Sequence, residues 1–501
     1  MTTRPTAKAL LRTTLAIASA TLLGGCAITP QALTTQELSL ASETVLANID
    51  ADQEPVTGQV DLYEAMARAL KYNLDNRVEM FRVALAQRDL ADATANLMPD
   101  LTAKAGYAVR DNVLSTQSKS LLTGLRTSDV TVSSEREART GDLAFSFHVL
   151  DFGLSYVRAR QAADQALIVE EQKRKIVNRI IEDVRTAYWR GVSAERLLDG
   201  FRRLQDRVDR AQKNSATLRR AGRASPMTAL TFERELVDIK KQIRRLDLEL
   251  RTAKAQLAGL MNVRPDAPFS LVVPKRDLSK LRVSQSGDEL VRIAVQNRPE
   301  FREALYKARI GVREETAAIL EVLPGASVFA GANYDSNDFL LNTSWLDAGV
   351  RASWNLTKLL KYPIRRRAIR ARAELSEAEA EAYAMAIMTQ VHMARARHAQ
   401  TRRIAETAAE YSRVQDRITN QMRARATAGA TSEHALIREE MNALVAAVEY
   451  DIAYADFQNA YANVYAAIGL DPVAPGQSLD VPVSDLARSL RAVWVERGDG
   501  S

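Results

Sequence analysis

The sequence predicts a mainly α-helical chain, duplicated within itself, whose small β part reads as a share of a membrane β-barrel. Three observations predict this class. Two helix-forming runs, 155–220 and 364–427, each follow a segment of alternating polarity. The residues also recur at a fixed offset. Adding 207 carries Ser146 to Ser353, Ala221 and Gly222 to Ala428 and Gly429, Ser225 to Ser432, Glu233 to Glu440, and Pro265 to Pro472. Upstream the offset is 225, carrying Ala69 to Ala294, Arg77 to Arg302 and Pro99 to Pro324. Self-similarity of this kind means two related halves rather than the three unrelated domains that length alone suggests. The composition agrees: 26% charged and 46% apolar residues, with only 14 prolines in 501, is the balance of long helices.

The chain opens with Arg4, Lys8 and Arg12, then the apolar run LAIASATLL, then Leu23-Gly24-Gly25-Cys26. A charged start, a short apolar core and small residues at the cut form a secretory leader, too short to span a bilayer. Cys26 is the only cysteine, so no internal disulfide is available. Its setting resembles a bacterial lipobox, which implies a lipid-modified cysteine at the mature N-terminus. Ala27, in place of an acidic residue, implies sorting to the outer membrane. Removing the three leader cations lowers the net charge from +7 to about +4. Acidic residues interleave with the arginines throughout, which argues for solvated helix faces and against nucleic acid.

The predicted organisation is a leader over 1–25, an anchored segment over 26–60, a first repeat over 61–262, a linker over 263–285, a second repeat over 286–472 and a polar, loosely ordered tail over 473–501. A short helix is expected near 36–48, then helices over 61–72 and 75–98, the last ended by Pro99. Residues 101–110 alternate, with Leu101, Ala103, Ala105, Tyr107 and Val109 on one face. Residues 141–149 alternate again, and 326–334 and 348–356 repeat the pattern. Period two is what a half-buried strand requires. Each half therefore carries one hairpin, with a long polar loop over 111–140 in the first. Four strands cannot close a barrel, for which about eight is the minimum. With an apolar face opposite Lys104, Asp142, His148 and Arg351 in a secreted chain, they fit a barrel shared among several chains.

The long helices set the other dimension. At 1.5 Å per residue, 155–220 spans about 100 Å, close to the summed lengths of 226–261 and 75–98, about 54 and 36 Å. Short helices stacked to match a long neighbour build a tall wall. Leu197, Phe201, Leu204, Val208 and Ala211 step by four and three, a coiled-coil seam. The long helices break at AGRASP (221–226) and AGATSE (428–433). Gly222 and Gly429 suit the left-handed C-cap, and Ser225 and Ser432 cap the returning helices. A turn is expected at Lys361-Tyr362-Pro363, and caps at Asn262 and Gly469.

The lipobox, the duplicated order, the segments NLDNRVEMFRVALAQRDLADATANLMPDL and FSFHVLDFGLSYVRARQAAD, and the paired Ala-Gly tips together resemble the TolC-like outer membrane efflux proteins over about 61–472. The resemblance implies a homotrimer with a twelve-stranded outer membrane barrel and a periplasmic tunnel of twelve helices. It serves as the exit duct of a tripartite efflux or type I secretion system. It also implies that the tips, Gly222, Arg223, Ala224 and Ser225 with Gly429, Ala430, Thr431 and Ser432, dock on a periplasmic adaptor joined to an inner-membrane pump. In this family acidic rings often line the entrance. Here the matching positions hold Thr228, Ala435 and Arg438, so the reading places a positive charge from Arg438 at the entrance, with Glu433 and Glu440 nearby. The second copy also departs from the strand-end pattern, reading NLTKLL where the first reads LDFG. No cofactor or metal is expected, and no enzyme: His392 and His398 are six apart, the wrong spacing for one helix face, and no phosphate loop or nucleophile elbow occurs. The competing reading is a periplasmic coiled-coil scaffold lipoprotein without a channel, which leaves the amphipathic strands unexplained.

Overall fold

A computed structural model describes residues 30–49, 51–220, 226–279, 281–473 and 476–499. The chain divides into two units, Met1–Glu54 and Pro55–Ser501. The first contributes helix α1 (Thr35–Asn48), which buries no residue. A capping box starts it: the Glu37 amide donates to Thr34 Oγ1 at 3.2 Å, and the Thr34 amide donates to the Glu37 carboxylate at 2.8 Å.

The second unit begins with β1 (Gln59–Val60), then α2 (Leu62–Tyr72) and α3 (Leu74–Ala95). Asp61 caps α2 by accepting from the Glu64 amide, and Asn73 caps α3 through the Asp75 and Asn76 amides. Strand β2 (Asp100–Val109) leads to a small hairpin of β3 (Ser115–Thr116) and β4 (Thr131–Val132), then β5 (Glu137–His148). Helix α4 (Val149–Arg220) follows, then α5 (Pro226–Leu260), β6 (Ser270–Leu271), α6 (Gly287–Asn297) and α7 (Pro299–Leu320). The chain continues through β7 (Gly325–Asp335), β8 (Ser344–Ser353), α8 (Leu356–Thr427), α9 (Glu433–Ala467) and α10 (Val483–Asp499). Both long helices have 72 residues, and both returning helices have 35.

Three expectations are corrected. The long helices begin at Val149 and Leu356, directly at the strand ends, so no turn forms at Lys361-Tyr362-Pro363. Pro363 lies inside α8. It forfeits one backbone hydrogen bond to the Leu359 carbonyl, a local loss that the packing of the remaining helix outweighs. The tail is not loose: α10 docks on α2 through Val483, Leu486, Leu490 and Trp494, all buried. Their three- and four-residue steps form an apolar stripe. The loop over 111–140 is likewise partly ordered by the β3–β4 pair.

The principal core lies where α2, α4, α5, α6, α8, α9, α10 and the linker meet, around Met66, Leu70, Val184, Tyr188, Leu257, Met261, Leu290, Tyr461 and Leu486. The linker is tied in by the parallel pair of β1 with β6 and by the Tyr188 hydroxyl, which donates to the Val272 carbonyl at 2.9 Å. A second core runs toward the tips. All five residues of the expected seam, Leu197 to Ala211, are buried there against Leu236, Ile239, Ile243, Ile437, Met441 and Val448. Helix α4 therefore packs on both α5 and α9.

Candidate functional site

The four long strands form one antiparallel sheet in the order β2-β5-β7-β8. Its register sorts the side chains. Leu101 faces Phe145, Phe145 faces Ala330, and Ala330 faces Ala348. Directly opposed residues share a face. One face thus collects Leu101, Ala103, Leu143, Phe145, Phe147, Val328, Ala330, Ala332, Leu346, Ala348 and Val350. The other collects Lys104, Asp142, Asn333, Asp347 and Arg351 together with the aromatic Phe329 and Trp345, and there Asn333 Nδ2 donates to Asp347 Oδ1 at 2.7 Å. The apolar face has no core beneath it: Leu101 is 68% exposed, Val350 74% and Leu346 84%. Contiguous apolar surface of this kind marks contact with lipid or protein. Both outer strands, β2 and β8, also keep one edge without a strand partner among the described residues, a template for further pairing.

At the far end of the helices, Gly222, Arg223, Ala224 and Ser225 lie outside the described residues, as does Cys26 with the leader. The second tip is well defined. Gly429 has φ +69°, with its amide on the Ala426 carbonyl at 3.1 Å and the Ala430 amide on the Arg425 carbonyl at 2.8 Å. This pair of bonds is a Schellman cap. Ser432 then accepts from the Ala435 amide at 3.2 Å and starts α9. Gly469 and Asn262 close the returning helices in the same way, with φ +73° and +56°.

Arg438 and Glu440 near this tip are paired. Arg438 binds Glu235 of α5 at 2.9 Å, and His434 approaches the same carboxylate at 2.6 Å. Glu440 is clasped between Arg207 of α4 at 3.0 Å and Arg423 of α8 at 3.1 Å. Glu433 is exposed in the first turn of α9. Sequence reasoning named Arg438 and Glu440 but missed Glu235, whose neighbourhood to Arg438 arises only when α5 and α9 pack side by side.

Nearer the core, α9 is locked to α4 and the linker. Asp451 is bound by Arg196, by Ser193 Oγ at 3.3 Å and by Arg276 at 3.5 Å. Arg196 also donates to the Pro274 carbonyl at 2.7 Å, and Arg276 lies 4.1 Å from the Tyr450 ring centroid. Burial pushes the Asp451 carboxyl above the usual carboxylate range, despite the opposing pull of the two arginines. His398 of α8 stacks on Phe457 and places Nε2 3.0 Å from the Leu281 carbonyl. Burial holds its imidazole below the ordinary histidine value. Among the described residues no cluster of His, Cys, Asp or Glu is arranged to hold a metal, and no helix is long and apolar enough to cross a membrane.

The whole arrangement has solved counterparts. The Campylobacter jejuni CmeC outer membrane channel superposes with a TM-score of 0.66 at 14% identity, covering 92% of this chain and 97% of that one. The chain has the fold of these outer membrane channels. A membrane protein from Pseudomonas aeruginosa gives 0.65 at 18% identity, covering 84% and 92%. The open-state Neisseria gonorrhoeae MtrE outer membrane channel gives 0.63 at 17%, covering 82% and 89%. No protein-family model and no curated protein sequence matches the chain.

Proposed function

We propose that this chain is one subunit of an outer membrane export channel. The single observation that carries the reading is the four-stranded sheet, apolar and exposed on one face, polar on the other, with two open edges. A water-soluble scaffold has no use for such a face, whereas a barrel wall needs lipid outside and a polar lumen inside. Open edges pairing β8 of one copy with β2 of the next form a heterologous contact, which closes into a ring when the rotation allows. Three copies supply twelve strands, above the minimum for closure. Residues 61–262 and 286–472 then act as two equivalent halves, a reading supported by the matched helix lengths.

In this proposal Cys26 is acylated after removal of 1–25 and anchors the chain in the outer membrane. Gly222 to Ser225 and Gly429 to Ser432 contact a periplasmic adaptor, which links to an inner-membrane pump. Arg438, Glu433 and Glu440 lie at the tunnel entrance, where the ion pairs of Arg438 and Glu440 hold neighbouring helices together more than they present free charge. The test is the mass of the purified mature protein in detergent by light scattering. A trimer is expected, and a monomer at all concentrations would remove the proposal.

A further inference from the structure

We propose that the first turns of α8 bind anionic phospholipid headgroups at the periplasmic face of the outer membrane. The inference rests on the channel reading and adds to it a lipid preference confined to one of the two halves. Residues 356–372 contain seven basic residues and no acidic one. The counterpart segment of the first half, 149–165, balances Arg158 and Arg160 with Asp151 and Asp164. Repetition of the fold therefore does not explain the charge.

The positions fit an interface. Leu356, Leu359, Leu360, Pro363 and Ile364 fall at i, i+3, i+4, i+7 and i+8 along one stripe of α8. Leu360 is 79% exposed and Ile364 71%. They follow directly on β8, whose Val350 and Leu346 belong to the exposed apolar face. The stripe thus continues the apolar face of β8, which the channel reading turns toward lipid. Arg367 and Arg370 extend the same stripe, with Arg367 about 10 Å further along the axis than Leu360. Guanidiniums one to two turns below an apolar band stand at headgroup depth, where arginine matches phosphate geometry. Arg365 is used by Glu314 of α7 and by Glu321 at its C-cap, and Arg366 by Glu315 of α7. Arg367 and Arg370 are exposed and have no carboxylate partner among the described residues. Trp354, whose Nε1 donates to the Val322 carbonyl at 2.9 Å, sits at the junction of sheet and helix, the place of an interfacial aromatic.

The test titrates fluorescent-tailed phosphatidylglycerol against the full chain in detergent, with phosphatidylcholine of the same tail as the neutral comparison. Each basic residue near an anionic surface contributes about 1 kcal/mol, so Arg367→Gln with Arg370→Gln should weaken phosphatidylglycerol binding about thirtyfold. Phosphatidylcholine binding should not change, and Arg367→Lys with Arg370→Lys should restore most of the affinity. Arg160→Gln, the first-half counterpart of Arg367, should have no effect. Circular dichroism and oligomer size confirm that each variant is folded. Equal affinity for the two lipids, no loss in the double glutamine variant, or equal loss with Arg160→Gln would overturn the inference. So would displacement by inorganic phosphate, which would mark a free-anion site, or by polyglutamate, which would mark an acidic protein partner. A chain that forms channels but ignores lipid charge sinks the inference alone. A chain that binds neither lipid and needs no detergent sinks the channel reading itself.

Discussion

Two glycines with nearly the same backbone conformation should respond very differently to a methyl group. Gly429 and Gly469 both close a helix at φ near +70°, a region that costs an L-residue about 1 kcal/mol. An added Cβ at Gly429 meets nothing within 4 Å, so Gly429→Ala should cost only that backbone strain. An added Cβ at Gly469 lies 2.6 Å from the Asn297 carbonyl carbon and 2.7 Å from the Arg298 nitrogen. These are backbone atoms at the junction of α6 and α7, so no flexible side chain can swing away. Overpacking of this kind adds about 1–3 kcal/mol, so Gly469→Ala should cost about 2–4 kcal/mol in all. Urea unfolding of the purified chain in detergent, followed by helical circular dichroism, gives the comparison. Gly469→Ala should lower the midpoint at least twice as far as Gly429→Ala. Equal shifts would mean that α9 does not end against the α6–α7 junction, and the packing described here would be wrong.

Three further outcomes follow from the same geometry. Val350→Lys, on the lipid-facing side of β8, should cost about 2 kcal/mol and reduce membrane assembly, while Asp347→Asn on the opposite face should assemble normally and change ion selectivity; equal assembly of both variants would contradict the assignment of faces. Asp451→Ala leaves Arg196 and Arg276 without their buried carboxylate, and should destabilise the chain by about 3–5 kcal/mol, read as a lowered urea midpoint; a change under about 1 kcal/mol would mean the cluster is solvated. The depressed His398 imidazole makes stability depend on pH with a definite sign. The unfolded chain binds the proton more readily, so stability is present above the ordinary histidine range and is lost as pH falls through about 6.5 toward the lower folded value. His398→Gln should flatten this part of the pH profile, and an unchanged profile would assign the loss to another group.

Most of the architecture was legible in the residues because it is periodic. The Leu197 to Ala211 seam, the alternation of β2 and β5, and the Asn262 and Gly469 caps each follow from local chemistry, and the folded chain places them accordingly. What the sequence concealed depends on contacts distant in the chain. The turn expected at Pro363 failed because a proline is read as a local stop, while its cost is one hydrogen bond in a helix held elsewhere. The docking of α10 was missed although Leu486, Leu490 and Trp494 step at helical spacing, because a short polar tail offers no sign of the surface that receives it. At the tip, the residue order placed Arg438 near the entrance but could not name its partner. Its pairing with Glu235 depends on two helices about two hundred residues apart in sequence lying side by side. The polar cluster around Asp451 was invisible for the same reason: Arg196, Arg276 and Asp451 lie on three separate elements.

The central claim is that several copies of this sheet close into a pore. The most direct measurement is the current through planar bilayers to which the purified mature protein is added. Discrete, reproducible conductance steps from a trimer are expected, with a selectivity that changes in Asp347→Asn. A protein that stays monomeric and soluble without detergent once Cys26 is replaced, and that passes no current, would contradict it.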